Sequence, residues 1–169
     1  MAISKLGGAD KWVEIGTSSP TSGSTVTFSS ISTIYKDLAI SIKNVTSAAG
    51  SPFINFQFNN DTTNNYGYSF WINTSAVNNT PSLRNNPLTS SFGGPGLTST
   101  TGGSGILLIK GANGPFKEIE GTYQNSVTIS DYQDFFKGTW FDTAAITEID
   151  CNLSSSTYAG GTIKLFGRI

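Results

Sequence analysis

The chain has 169 residues, of which 37% are hydrophobic, 12% aromatic and 12% charged, with 10 Lys and Arg against 11 Asp and Glu and no histidine. That length suits one domain, and the charged fraction is about half the usual quarter. The balance excludes a coiled coil, which needs charged flanking positions, a polybasic nucleic-acid binder, and any Ser-His-Asp or Cys-His catalyst. Ser (23), Thr (21), Asn (14) and Gly (19) account for 77 residues and make the surface neutral and polar, while 11 Phe, 6 Tyr and 3 Trp supply a core.

Apolar residues recur with period two, in short runs broken by Gly, Asn, Ser, Thr and Pro, which predicts an all-β chain. Lys11–Ile15, Thr25–Phe28 and Leu38–Ile42 are the first candidate strands. In Phe53–Phe58, Ile54, Phe56 and Phe58 share one face and Asn55 and Gln57 the other, as a half-buried antiparallel strand requires. Asn59–Asn65 is a polar turn, because Asn and Asp tolerate left-handed backbone and bond their own main chain; Tyr66–Ile72 returns from it as a hairpin. The alternation lapses over 74–104, rich in Asn, Pro, Ser, Thr and Gly, which predicts one long loop docked on a neighbour. A second block follows with Ile106–Ile109, Phe116–Tyr123, Phe135–Phe141, Ile146–Leu153 and Thr162–Phe166. The unbroken apolar run Ile106–Ile109 calls for a central strand or one covered by another chain. Ser130–Phe135 reads as a single capped helical turn. The sum is a single domain, 1–169, folded as an antiparallel two-sheet β-sandwich of jelly-roll type with about nine or ten strands; a barrel is the second choice.

Few side chains suggest chemistry. Cys151 lies in a strand-like run with apolar neighbours of its own parity and reads as a buried small hydrophobe. Glu118 with Glu120, and Glu148 with Asp150, have the i, i+2 spacing of a carboxylate pair for glycoside hydrolysis, but any alternating strand places its polar residues so; the expectation is no enzyme and no cofactor. Asp61 among Asn59, Asn60, Asn64 and Asn65 lacks the frame of a calcium loop, so no metal is expected. Trp12 and Trp71 have the parity opposite to the apolar face of their strands, and Trp140 sits in a run aromatic at both parities. Each is a candidate sugar platform, an interface anchor, or a ring packed beneath a loop. Tyr66 and Tyr68 join them as candidate partner or glycan contacts. Met1–Gly8 holds no apolar run of signal-peptide length and no stretch approaches a membrane span, so cytoplasmic synthesis and no membrane partner are expected.

Three stretches resemble small β-sandwich virion proteins of tailed bacteriophages. Ile31-Ser-Thr-Ile-Tyr-Lys-Asp-Leu-Ala-Ile40 is similar to their isoleucine, tyrosine-x-aspartate-leucine opening; Phe56–Tyr66 resembles their Phe-Asn-Asn-Asp hairpin; Tyr158–Gly167 resembles their closing Gly-Thr-hydrophobic strand. The resemblance implies a structural component without catalytic residues. The expectation is a capsid decoration (cement) protein on the outer capsid surface, bound to the major capsid protein, a homotrimer that uses segment 1–10 and the 74–104 loop for contacts. The alternative is a tail or tail-fibre-associated domain binding a host receptor or surface polysaccharide. Neither reading involves nucleic acid.

Overall fold

The computed structural model describes residues 11–74, 82–97, 102–127 and 130–169, with side chains described outside 70–74, 82–87, 95, 125–127 and 130–134. The twelve strands among them are β1 (Trp12–Ser18), β2 (Thr25–Phe28), β3 (Asp37–Ser47), β4 (Phe53–Phe58), β5 (Tyr66–Thr74), β6 (Ser82–Thr89), β7 (Phe92–Gly96), β8 (Gly103–Lys110), β9 (Lys117–Val127), β10 (Ser130–Trp140), β11 (Ile149–Leu153) and β12 (Tyr158–Arg168). The described residues contain no helix. The strands form an eight-stranded sheet, β1-β12-β3-β8-β9-β10-β5-β6, and a four-stranded sheet, β2-β11-β4-β7. Every pairing is antiparallel. The all-β expectation therefore holds, with two antiparallel sheets packed face on face.

Eight strands pair as in one long hairpin that has been rolled up. β1 meets β12, β2 meets β11, β3 meets β8 and β4 meets β7. The remaining four strands, β5-β6 and β9-β10, extend the larger sheet beyond β8.

Three local expectations are corrected. Phe53–Phe58 and Tyr66–Ile72 do not form a hairpin: β4 pairs with β11 and β7 in the smaller sheet and β5 with β10 and β6 in the larger, so the 59–65 turn carries the chain from one sheet to the other, which lets both strands turn their apolar faces to the shared core. Ser130–Phe135 is not a helical turn but the start of β10, whose backbone is claimed on both sides by β9 and β5; two hydrogen-bonded ladders outweigh one capping side chain. The stretch 74–104 is not one loop, since it contains β6 and β7. Both are edge strands, and Pro87 and Pro95 each fall where the register slips against the neighbouring strand. Proline is tolerated at such places because no ladder bond is lost there. The segment 1–10 expected to make contacts lies outside the described residues.

The core lies between the sheets. Leu38, Ile40, Leu107, Ile109, Ile163 and Leu165 of the larger sheet are buried with Phe28, Ile54, Phe56, Ile149 and Cys151 of the smaller. Under β9, β10 and β5 the filling is aromatic, with Phe58 5.4 Å from Trp140 and 5.6 Å from Phe92, and Phe92 5.4 Å from Phe136. At about 1.5–3 kcal/mol for each fully buried large side chain, this two-sided burial is the main favourable term of folding. Cys151 is fully buried, and loss of hydration pushes its thiol pKa well up, so it is an apolar filler.

Candidate binding surface

One end of the molecule collects the 29–36, 59–65, 111–116 and 141–148 connections, because β3, β9, β12, β10 and β5 all begin or finish there in register: Asp37 opposite Arg168, and Lys117 opposite Trp140 opposite Tyr66. The loops are tied to one another through the backbone. Ala112 N–H donates to Lys36 O (2.6 Å), Ile146 N–H to Ala112 O (2.8 Å), Ile31 N–H to Thr147 O (2.9 Å) and Phe141 N–H to Asn65 O (2.8 Å).

Two side chains of the polar turn complete the lock. Asn59 and Asn60 hold positive φ, 52° and 56°, as the turn requires of Asn. Asn59 Oδ1 accepts from Thr147 N (2.8 Å) and Glu148 N (3.1 Å), and its Nδ2 donates to Ala145 O (2.8 Å). Asp61 accepts from Thr63 N (2.9 Å), Asn65 Nδ2 (3.1 Å) and Trp140 Nε1 (2.8 Å). Burial pushes the Asp61 carboxyl pKa up, but hydrogen bonds from Thr63, Trp140 and Asn65 outweigh it, and the pKa lies below the usual aspartate value. Asp61 is thus a structural acceptor. Among the described residues no group of three or more His, Cys, Asp or Glu is placed to hold a metal ion. Beneath the loops the buried Lys117 ammonium donates to Asp142 O (2.6 Å) and stands 4.8 Å from the centre of the Trp140 ring. Burial pushes its pKa down, against the attraction of Asp142.

Hydrophobic side chains project from this locked end. Phe116 is 83% exposed, Phe141 59% and Ile34 56%. Trp12, at the same end, is 36% exposed, and the Arg168 guanidinium lies 5.4 Å from its ring centre while also bonding Asp37.

The five candidate contact residues therefore separate. Trp12 presents part of its ring to solvent, while Trp140 and Tyr66 are enclosed in the core and offer no ring face outward. The Tyr66 hydroxyl accepts from Phe58 N (2.9 Å) and lies 3.0 Å from Asp61 O, closing the turn from within. Tyr68 is half-buried against Phe136 (5.2 Å) and Phe92 (5.8 Å). Trp71 lies in β5 opposite Phe135, and its side chain is outside the description. Of the carboxylate pairs, Glu118 bridges Lys137 (2.6 Å) and Glu120 bridges Lys110 (2.7 Å), while Glu148 accepts from Asn60 and Asp150 from Thr27 (2.6 Å). Phe116, Phe141 and Ile34 are not singled out by the sequence, in which Phe116 and Phe141 lie at the ends of candidate strands and Ile34 lies in the Ile31–Ile40 stretch. Comparison with protein-family models, curated proteins and solved structures finds no match.

Proposed function

We propose that this chain is a structural protein of a tailed-phage particle, a capsid decoration (cement) protein that seats its loop end on the outer shell, bridges major capsid protein subunits and performs no catalysis. The observation that carries the reading is the set of exposed apolar side chains, Phe116, Phe141 and Ile34, on loops fixed by backbone and Asn59 bonds. Pre-ordered apolar knobs bind with little conformational entropy left to lose, which suits permanent adhesion. A jelly-roll fold is part of the reading, supported by the rolled-hairpin pairing of β1 with β12, β2 with β11, β3 with β8 and β4 with β7. Such double-sheet rolls recur in capsid and lectin domains. The formal net charge of −1 makes the predicted adhesion only weakly dependent on salt.

The test is binding of purified chain to undecorated shells, with copy number counted per particle. Hundreds of copies, retained in high salt and lost in the double variant Phe116→Ser, Phe141→Ser, fit a cement protein. A few copies per particle, or full binding by that variant, overturn it. The receptor-binding alternative, placed at the tail, is left with Trp12 as its exposed candidate ring among the described side chains, and Arg168 already stacks on it.

A further inference from the structure

We infer that the outer face of β9 and β10 is a self-association surface that takes a second copy of this chain around a two-fold axis. This inference does not depend on where the loop end seats. Across that face the strands are in register, so that Ile106, Thr122 and Phe135 form one row and Leu108, Glu120 and Lys137 the next. Ile106 is 43% exposed and Phe135 54%, on the face of an antiparallel sheet that ordinarily carries polar side chains to water. A groove over β8, β9 and β10 is lined by Ile106, Leu108, Thr122 and Phe135, with Glu120 and Lys137 at its side.

The charges identify the occupant. The patch holds Lys110, Lys137, Glu118 and Glu120, two of each sign, paired diagonally within one chain. A two-fold axis lying in the face between β9 and β10, parallel to the strands, sets each residue of one copy over its own cross-strand neighbour in the other. Glu120 and Lys137 are such neighbours, as are Thr122 and Phe135. The operator therefore places Glu120 of each copy over Lys137 of the other, twice, and buries both Phe135 rings without opposing like charges in that row. Closed two-fold contacts are self-complementary in this sense. The area suffices: with that axis the six strands from β3 to β6 overlap, and at about 4.8 Å between strands and about 26 Å of length they cover roughly 750 Å², near the ~800 Å² per partner of a stable interface.

Sedimentation equilibrium of the full chain tests this, with circular dichroism to confirm folding of each variant. The native chain is expected to dimerise at micromolar concentration. Lys137→Glu opposes like charges twice and is expected to weaken the dimer at least tenfold, whereas Lys137→Glu combined with Glu120→Lys restores it. Phe135→Thr, at an exposed position, is expected to weaken the dimer without unfolding the monomer. A chain that stays monomeric at 100 µM, that forms the trimer expected from the sequence, or whose dimer ignores Lys137→Glu overturns the inference. Dimerisation is read without particles, so its failure is distinct from failure of Phe116 and Phe141 to seat on a shell.

Discussion

On the outside of the four-stranded sheet the side chains bond one another: Thr25 Oγ1 donates to Asn152 Oδ1 (2.7 Å), Asn152 Nδ2 to Gln57 Oε1 (3.0 Å), Gln57 Nε2 to Ser90 O (3.0 Å) and Thr27 Oγ1 to Asp150 (2.6 Å). On the outside of the eight-stranded sheet, Ile106 and Phe135 stand in water beside exposed Lys–Glu pairs. The first face bonds its polar side chains to one another across β2, β11 and β4 and exposes, among the described side chains, a single large apolar ring, Phe53 at the start of β4. The second leaves apolar area uncovered and holds its charges in pairs that can be re-formed with another copy. The same strand periodicity thus supports a face that stabilises folding and a face free to associate.

Changes on the polar face should lower folding stability. Thr27→Val removes the hydroxyl that Asp150, only 6% exposed, accepts. Stability is expected to fall by about 2 kcal/mol, the cost of an orphaned buried polar group, read as a lower urea midpoint at unchanged m. A fall below about 0.5 kcal/mol would make the ladder incidental and dissolve the contrast. Asn152→Ala breaks bonds to Thr25 and Gln57 at a half-buried position, with an expected loss of about 1 kcal/mol by the same measurement.

Changes on the apolar face should leave folding nearly alone. Ile106→Thr is expected to shift the urea midpoint by no more than about 0.5 kcal/mol equivalent, as at other exposed positions, while weakening self-association in sedimentation. A large loss of folding stability would show that this face is part of the fold's own support.

The smallest effect concerns pH. Hydrogen bonds from Lys164 hold the Glu14 carboxyl, and from Lys137 the Glu118 carboxyl, below the ordinary value of 4.5. With pKa lower folded than unfolded, each contributes stability above pH 4.5 that is lost as pH falls through the folded value. Lys110 is the converse: its bond to Glu120 raises its pKa, so its contribution is present below 10.5 and is lost as pH rises through the folded value. Thermal melts in dilute buffer should fall slightly at both extremes, and moderate salt should flatten the dependence because these pairs are exposed.

Legibility in the sequence followed the competition each segment faced. Phe53–Phe58 and the Asn59–Asn65 turn were readable because alternation and turn chemistry point the same way locally. The run Ile106–Ile109 predicts a central or covered strand; β8 is central in its sheet, yet Ile106 is left exposed, which only the arrangement of neighbours reveals. Trp140 could not be assigned a face because Phe135 to Phe141 is aromatic at both parities; in the fold Phe136 and Trp140 point inward, Phe135 and Phe141 outward. β6 and β7 were hidden by Pro and Gly, residues that argue against central strands and not against edges. Exposed Phe116 carries no sequence signal of its own, since a lone aromatic before a strand is normally core.

By itself the sequence determined the all-β class, the polar turns and the inert cysteine, because period-two burial and left-handed Asn are set by neighbours one to four residues away. The tertiary structure decided which strands became partners, that Asp61 and Asn59 would lock the loops at one end, and that Ile106 and Phe135 would stand exposed among paired charges on the outside of the larger sheet. Those outcomes depend on pairs more than 50 residues apart, such as Trp12 with Arg168 and Asp61 with Trp140, whose meeting is fixed by sheet order and by the burial of a shared core.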